Sequence, residues 1–176
     1  MLQIRSNAFE TNSSSVHTFC IKEDFKPDTS TERVWDVGLG VFGWDYDHYS
    51  SSWFVDYCWT AVLTVYESYQ PVDKVDTQAI EAYKNKIEAA LKPYNIKIGT
   101  WNYQLDTPSD YGNDYNVDHA DEFLPILDEL LDNPELFVSA CLCDESCFYT
   151  GNDDGGCYCD PEDIKKDGFK YYMKRN

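Results

Sequence analysis

Apolar side chains recur at helical spacing in three segments of the chain. In residues 53–68, 76–91 and 119–131 they return every three or four positions, which is the pattern of an amphipathic helix. Asp76 or Thr77 is the predicted cap of the second segment, and Asp118 is the predicted cap of the third. The predicted inward-facing residues are Trp53, Phe54, Tyr57, Cys58, Ala61, Val62 and Val65 in the first segment, Ala79, Ile80, Tyr83, Ile87, Ala90 and Leu91 in the second, and Phe123, Ile126, Leu127, Leu130 and Leu131 in the third.

Shorter apolar runs, some alternating with polar residues, predict strands. Residues 136–142 fit either a helix or a strand, and residues 23–52 are expected to be irregular because they combine Pro27, glycines and mixed polar and aromatic positions. The predicted strands are 2–5, 16–21, 96–98, 147–150 and 169–173, and a last short helix is predicted before the final strand.

This order of elements predicts an α+β (mixed α/β) fold. We expect residues 1–176 to form a single compact domain in which two to three helices pack on a small sheet. The 14 tyrosines, 9 phenylalanines and 5 tryptophans supply enough bulk for a core, and they argue against an acidic disordered chain.

The negative charge of the chain is concentrated in one region. The formal net charge is -18, and residues 98–164 contain 17 aspartates and glutamates but no lysine or arginine. Such a region repels nucleic acid and anionic membrane and attracts cations or a protein surface that grips phosphates. We therefore expect no direct binding of nucleic acid or membrane.

The acids of this region recur beside tyrosines, an arrangement that could imitate a nucleic-acid backbone. Aromatic side chains would supply the anchors that a carboxylate array lacks. The alternative is a solvated acidic face that keeps the chain soluble. The predicted partner-binding residues are Asp106, Asp110, Asp114, Asp118, Asp121, Glu122, Tyr111 and Tyr115.

The N-terminal polar run offers a different chemistry. Ser13 or Ser15 with His17 could act as a nucleophile with its base, and Arg5 could hold a phosphate. The alternative is a polar turn followed by a strand that carries one histidine. No other catalytic residues are predicted.

Seven cysteines, an odd number, favour reduced thiols and a cytoplasmic location over a secreted disulfide framework. No apolar run is long enough to span a bilayer, and the N-terminus lacks the apolar segment of a signal peptide. We predict no cofactor and no metal. The alternative is a zinc site formed by Cys141, Cys143, Cys157 and Cys159, although Cys-x-Cys pairs are not the usual zinc spacing.

Two short strings carry a resemblance. The run R-x3-F-E-T-N-S-S-S-x-H, from Arg5 to His17, resembles the N-termini of uncharacterised proteins from bacteriophages and prophages. These proteins also tend to carry a Thr-Gly-Asn-Asp element, which is similar to residues 150–153 here. Two such elements at opposite ends of a chain are consistent with one composite site.

The resemblance implies a mobile-element origin, and small acidic proteins of such elements commonly inhibit host defence machinery. By analogy, the closest functional class is the type II anti-CRISPR proteins, whose target holds nucleic acid in basic grooves. We therefore expect a monomeric or dimeric inhibitor that binds a basic nucleic-acid site of a host nuclease, with an RNA-guided nuclease as the first candidate. The alternative is an enzyme that acts on a nucleotide or nucleic acid through the N-terminal element.

Overall fold

A computed structural model describes residues 15–43, 47–68, 74–103, 115–152 and 161–174. Within these ranges the predicted α+β fold is confirmed. The described chain contains five α-helices, where two to three were expected: α1 (Phe54–Leu63), α2 (Thr77–Leu91), α3 (Ala120–Leu131), α4 (Pro134–Leu142) and α5 (Pro161–Lys166).

The largest sheet has four antiparallel strands. Its strand order is β4 (Asp47–Ser50), β7 (Cys147–Asn152), β1 (Ser15–Lys22) and β8 (Phe169–Lys174). In β1 the residues 15, 17, 19 and 21 face the core. The sheet therefore brings segments from both ends of the described chain side by side.

Two small parallel sheets complete the strand set. One pairs β2 (Arg33–Val37) with β5 (Ile96–Trp101), and the other pairs β3 (Val41–Phe42) with β6 (Asn116–Val117). The expectation that residues 23–52 are irregular is wrong, since they contain β2, β3 and β4. These strands have only two to five residues and pair with distant segments, so local alternation does not reveal them.

The core lies between the large sheet and helices α1, α3 and α4. Nine of the ten residues of α1 are buried, including Tyr57 and Trp59. Beyond α1 a π-helical turn spans Thr64–Ser68, and the Thr64 hydroxyl accepts a hydrogen bond of 3.1 Å from the Val117 backbone N–H. This bond fixes β6, and with it the start of α3, against α1.

The helix boundaries follow the predicted patterns with three differences. The segment predicted as one helix over residues 53–68 is divided into a 3-10 turn at Ser51–Trp53, α1 and the π-helical turn, and Trp53, which was predicted to face inward, is exposed. The ambiguous segment 136–142 is helical, because Pro134 begins α4 and the Asn133 side chain caps it at Leu136 N–H. The predicted cap at Asp118 is wrong: His119 holds that position, with φ 50° and no side-chain cap bond. Asp118 is instead held in the β3–β6 pairing, where its N–H donates to the Phe42 carbonyl oxygen at 3.0 Å.

Candidate functional site

The described parts of the two sequence elements, residues 15–17 and 150–152, lie on adjacent strands. In the β1–β7 register Ser15 faces Asn152, Val16 faces Gly151 and His17 faces Thr150. The described ends of both elements therefore meet at one end of the two central strands, an arrangement consistent with a composite site. Arg5, Ser13, Asp153 and the predicted strand 2–5 lie outside the described residues.

One row of residues across this sheet is entirely polar. The register aligns four side chains, and cross-strand neighbours share one side of a sheet. This polar row consists of Lys174, His17, Thr150 and Asp47, in the order β8, β1, β7, β4. His17, Thr150 and Lys174 are buried. Polar groups in core positions are costly unless they are hydrogen-bonded, so the row requires an account other than packing.

Lys174 joins three parts of the fold. Its Nζ donates to Ser15 Oγ at 3.1 Å and also to the backbone carbonyl oxygen of Asp118. The lysine is only 2% exposed. Burial lowers its pKa from the ordinary 10.5 to about 8, while the carboxylates of Asp118, Glu122 and Asp121 act in the opposite direction. A usable fraction of Lys174 is therefore unprotonated, and able to accept a proton, near neutral pH.

His17 lies beside this pair and is fully buried. Its Nδ1 shares a hydrogen bond of 2.6 Å with the Tyr57 hydroxyl, and its Nε2 has no hydrogen-bond partner among the described residues. Burial, and then the positive charges of Lys174 and His119, lower the pKa of His17 well below its usual value. His17 is thus a neutral imidazole, and burial also raises the pKa of the Tyr57 phenol so that it stays protonated.

The junction of β6 and α3 forms the other wall of the site. His119 adopts a left-handed conformation, which is uncommon for a residue with a Cβ. Its Nε2 lies 3.6 Å from Asp118 Oδ1, and Asp118 Oδ2 is buried without a hydrogen-bond partner in the described part of the chain. A pocket of about 340 Å³ opens at this junction. Its lining residues are Thr64, Val65, Asn116, Val117, Asp118, His119, Ala120 and Asp121.

This arrangement has the parts of a nucleophilic site. A serine hydroxyl lies within hydrogen-bond distance of a lysine whose pKa is lowered, and serine–lysine pairs are one known way to activate a serine. Sequence reasoning identified Ser15 and His17 but missed Lys174 and Tyr57. The available signal for Lys174 was that it continues the alternation of the last predicted strand into a core-facing position.

The predicted partner-binding residues are divided by the fold. Asp121 and Glu122 are exposed in the first turn of α3, whereas Tyr115 is buried and the Asp118 side chain is largely buried. Asp106, Asp110, Tyr111 and Asp114 lie outside the described residues.

Some acids of the basic-free region are neutralised from outside it. Lys86 Nζ lies 2.7 Å from Asp128 Oδ1, Lys22 Nζ lies 3.3 Å from Glu145 Oε2, and Lys170 Nζ lies 3.7 Å from Glu129 Oε1. These pairs join α2, β1 and β8 to the acidic region. The exposed acids of this region that form no ion pair within the described ranges are Asp121, Glu122, Asp132, Glu135 and Asp144.

Two of the four cysteines of the predicted zinc alternative lie within the described residues. Cys141 and Cys143 are buried free thiols, and Cys157 and Cys159 lie outside the described ranges. Burial raises the pKa of Cys141 well above its usual value, which disfavours the thiolate that zinc requires. Among the described residues no group of three or more histidine, cysteine, aspartate or glutamate side chains is placed to hold a metal ion.

The fold and site together define an α+β protein with a buried serine, lysine and histidine cluster at one end of a four-stranded sheet. No family model matches the chain, no curated protein matches it, and no solved structure matches it. None of the helices in the described ranges is long and apolar enough to cross a membrane.

Proposed function

We propose that the chain is an enzyme that uses the Ser15 hydroxyl as a nucleophile and Lys174 as its general base. The observation that carries this proposal is the hydrogen bond of 3.1 Å between Lys174 Nζ and Ser15 Oγ inside a largely dehydrated site. Structural hydrogen bonding alone does not require a lysine at this position, because a neutral side chain would satisfy Ser15 at lower desolvation cost.

The proposed reaction proceeds in two steps. Ser15 Oγ attacks an electrophilic carbon or phosphorus, and its proton passes to the neutral Lys174 amine. Lys174 then gives that proton to the leaving group, and water hydrolyses the enzyme ester with Lys174 again acting as base. The Asp118 carbonyl, which accepts from Lys174 Nζ, positions the amine for both transfers.

An acyl substrate fits this site better than a nucleic acid. The net charge of -18 opposes the approach of a polyanion, and Asp118 and Asp121 line the adjacent pocket. The pocket is connected to the lysine site through Asp118, which lines the pocket and whose backbone carbonyl oxygen accepts a hydrogen bond from Lys174 Nζ. We therefore favour a neutral or cationic ester or amide, held by the Asn116, His119 and carboxylate side chains of the pocket wall.

A fluorophosphonate probe tests the proposal without knowledge of the natural substrate, since it labels activated serines. We expect labelling of Ser15, located by tandem mass spectrometry, and its loss in Ser15→Ala and Lys174→Met. The labelling rate should rise as pH passes through about 8, because about a tenth of a lysine with that pKa is unprotonated at pH 7. Ser139, a buried serine that bonds the Lys22 carbonyl, is the internal control and should stay unlabelled. Absence of labelling between pH 7 and pH 9, or equal labelling of Lys174→Met, would contradict the mechanism.

A second candidate function rests on the charge. We propose as the alternative that the exposed acids of residues 98–164 compete with nucleic acid for a basic site on a host nuclease, as expected for a protein of the anti-CRISPR kind. This candidate is supported by a set of exposed acids that form no ion pair in the described chain. They lie at both ends of α3, in the first turn of α4 and after α4: Asp121, Glu122, Asp132, Glu135 and Asp144.

Pull-down against guide-loaded and guide-free type II effector, at low and high salt, tests this candidate. We expect stoichiometric, salt-sensitive inhibition of DNA cleavage. It should be lost when Asp106, Asp110, Asp114, Asp121 and Glu122 are neutralised together. The matched control neutralises five acids outside the region, namely Glu23, Asp24, Asp28, Glu32 and Glu81, and should still inhibit. Inhibition that is indifferent to both salt and these substitutions would remove this candidate.

A further inference from the structure

The outer face of the same sheet places two cysteines directly opposite each other. Cys20 of β1 pairs with Cys147 of β7 in the antiparallel register. Residues opposite each other in such a pair have Cα atoms about 4.5–5.5 Å apart. Disulfides need a Cα separation of about 4.4–6.8 Å, so the backbone already satisfies this requirement.

The two thiols also interact chemically. A hydrogen bond from Cys20 lowers the pKa of Cys147 to about 6, with further contributions from His48 and Tyr149, while burial acts in the opposite direction. His48 and Tyr149 stack with ring centroids 4.6 Å apart on the same face. Cys147 is half-buried, whereas the other cysteines of the described residues are buried. It combines the two properties of a reactive cysteine, thiolate character and access.

Two interior cysteines of the same chain provide a comparison for Cys147. Cys58 and Cys141 are buried on all sides, and burial raises the pKa of each thiol well above its usual value. These two thiols are therefore protonated and shielded at neutral pH. We therefore expect Cys147 to react with a small thiol reagent much faster than either of them.

We propose that Cys147 and Cys20 form a redox-active pair that a small-molecule disulfide oxidises to a cross-strand disulfide between β7 and β1. The Cys147 thiolate attacks one sulfur of the reagent, which forms a mixed disulfide and releases one thiolate. Cys20 then loses its proton and attacks the Cys147 sulfur, which releases the second thiolate. The protein loses two electrons and two protons, and the small-molecule disulfide becomes two thiols.

Peptide mapping of the full chain tests this pair. The reduced protein is incubated with hydroxyethyl disulfide, free thiols are blocked by alkylation under denaturing conditions, and the digest is mapped without reductant. We expect a Cys20–Cys147 linked peptide, with Cys58 and Cys141 recovered as alkylated thiols. In Cys20→Ser the mixed disulfide should accumulate at Cys147. In Cys147→Ser the remaining thiol of the pair, Cys20, should not take up the reagent.

Two results would overturn the proposal. One is an unmodified Cys147 under conditions in which other cysteines of the chain react. The other is a stable mixed disulfide at Cys147 in the unsubstituted protein, since this would show that Cys20 does not resolve it. Cys143→Ser is the matched control, because it removes a buried thiol nearby in sequence and should leave the Cys20–Cys147 linkage unchanged.

Discussion

Two neighbouring rows on one face of the four-stranded sheet differ completely in chemistry. The polar row has Lys174, His17, Thr150 and Asp47 across the four strands, and the row two residues further along has Tyr172, Phe19, Phe148 and Tyr49. Both rows have buried centres. Burial alone therefore does not distinguish them; the distinction lies in what the buried groups contact.

The aromatic row is explained by packing. Phe19 lies 5.4 Å from Tyr57 and 5.1 Å from Phe123 between ring centroids, and Tyr49 stacks on Phe148 at 4.8 Å. The polar row leaves His17 Nε2 without a hydrogen-bond partner among the described residues and holds a lysine in a site that lowers its pKa. A fold maintained only for stability would replace such groups with apolar ones, so the polar row is where function is expected.

The largest expected effect comes from breaking the aromatic row. Phe19→Ala should lower the free energy of unfolding by about 3–5 kcal/mol, because it leaves a cavity among aromatic rings that cannot collapse onto it. Urea denaturation measures the change. Val34→Ala, at an exposed position of β2, is the control and should change stability by less than about 0.5 kcal/mol. A small effect of Phe19→Ala would mean that this row is not the centre of the core.

The contribution of the polar row to the free energy of unfolding should depend on pH, whereas that of the aromatic row should not. Below about pH 6 Lys174 is protonated in nearly all molecules of both the folded and the unfolded chain, and its buried charge costs stability. Between pH 8 and 10.5 the unfolded chain binds more protons at this site than the folded chain, so the free energy of unfolding rises with pH.

Comparison of the wild-type protein with Lys174→Met isolates the contribution of Lys174 to this pH dependence from that of other titratable groups. We expect the wild-type protein to gain up to about 3 kcal/mol relative to Lys174→Met between pH 8 and 10.5, and nothing between pH 6 and 7. Urea unfolding of both proteins across this range measures the difference. A constant difference at all pH values would show that the Lys174 pKa is not lowered.

Removal of the hydrogen bond between His17 and Tyr57 should have a smaller effect on the free energy of unfolding. Tyr57→Phe removes the partner of His17 Nδ1 and should cost about 1–2 kcal/mol, because a buried polar atom is left unsatisfied. His17→Phe in the Tyr57→Phe background should recover part of the loss, since both polar partners are then gone. Chemical denaturation of the two single variants and the double variant measures the coupling. Strictly additive losses would argue that the two side chains do not interact.

The aromatic half of this comparison could be predicted from the sequence, and the polar half only in part. Alternation in residues 16–21 predicted the strand that carries Phe19, and helical spacing predicted α1 and α2 with most of their inward faces, Trp53 being the exception. Ser15 and His17 were identified as candidates by residue type. Their contacts were not, since Lys174 lies 159 residues from Ser15 in sequence and meets it only through the β1–β8 register.

The missed elements have physical reasons. Strands β2, β3 and β4 are too short for alternation to be visible, and α4 is buried on most sides so that its apolar residues show no helical stripe. The cap of α3 was misplaced because Asp118, a good cap by residue type, is held by strand pairing instead. In each case a partner distant in sequence overrides a local preference.

The smallest expected effect links the acidic surface to the polar row. Asp121 and Glu122 lie in the first turn of α3, where the helix dipole favours negative charge. Asp121→Asn with Glu122→Gln should therefore cost about 0.3–1 kcal/mol at low salt and less at high salt. Asp132→Asn is the matched control, and its effect on the free energy of unfolding should have the opposite sign. Asp132 caps the C-terminus of the same helix, where the dipole disfavours an acid.

The same double substitution should also act on Lys174. The carboxylates of Asp121 and Glu122 oppose the fall in the Lys174 pKa, so their removal should lower this pKa further and increase the unprotonated fraction at pH 7. We expect faster fluorophosphonate labelling of Ser15 at pH 7 in the double variant, with the pH profile shifted to lower pH, and no shift in Asp132→Asn. An unchanged profile would mean that the acidic surface and the polar row are electrostatically independent, and the acids would then have to be explained by a partner or by solubility alone.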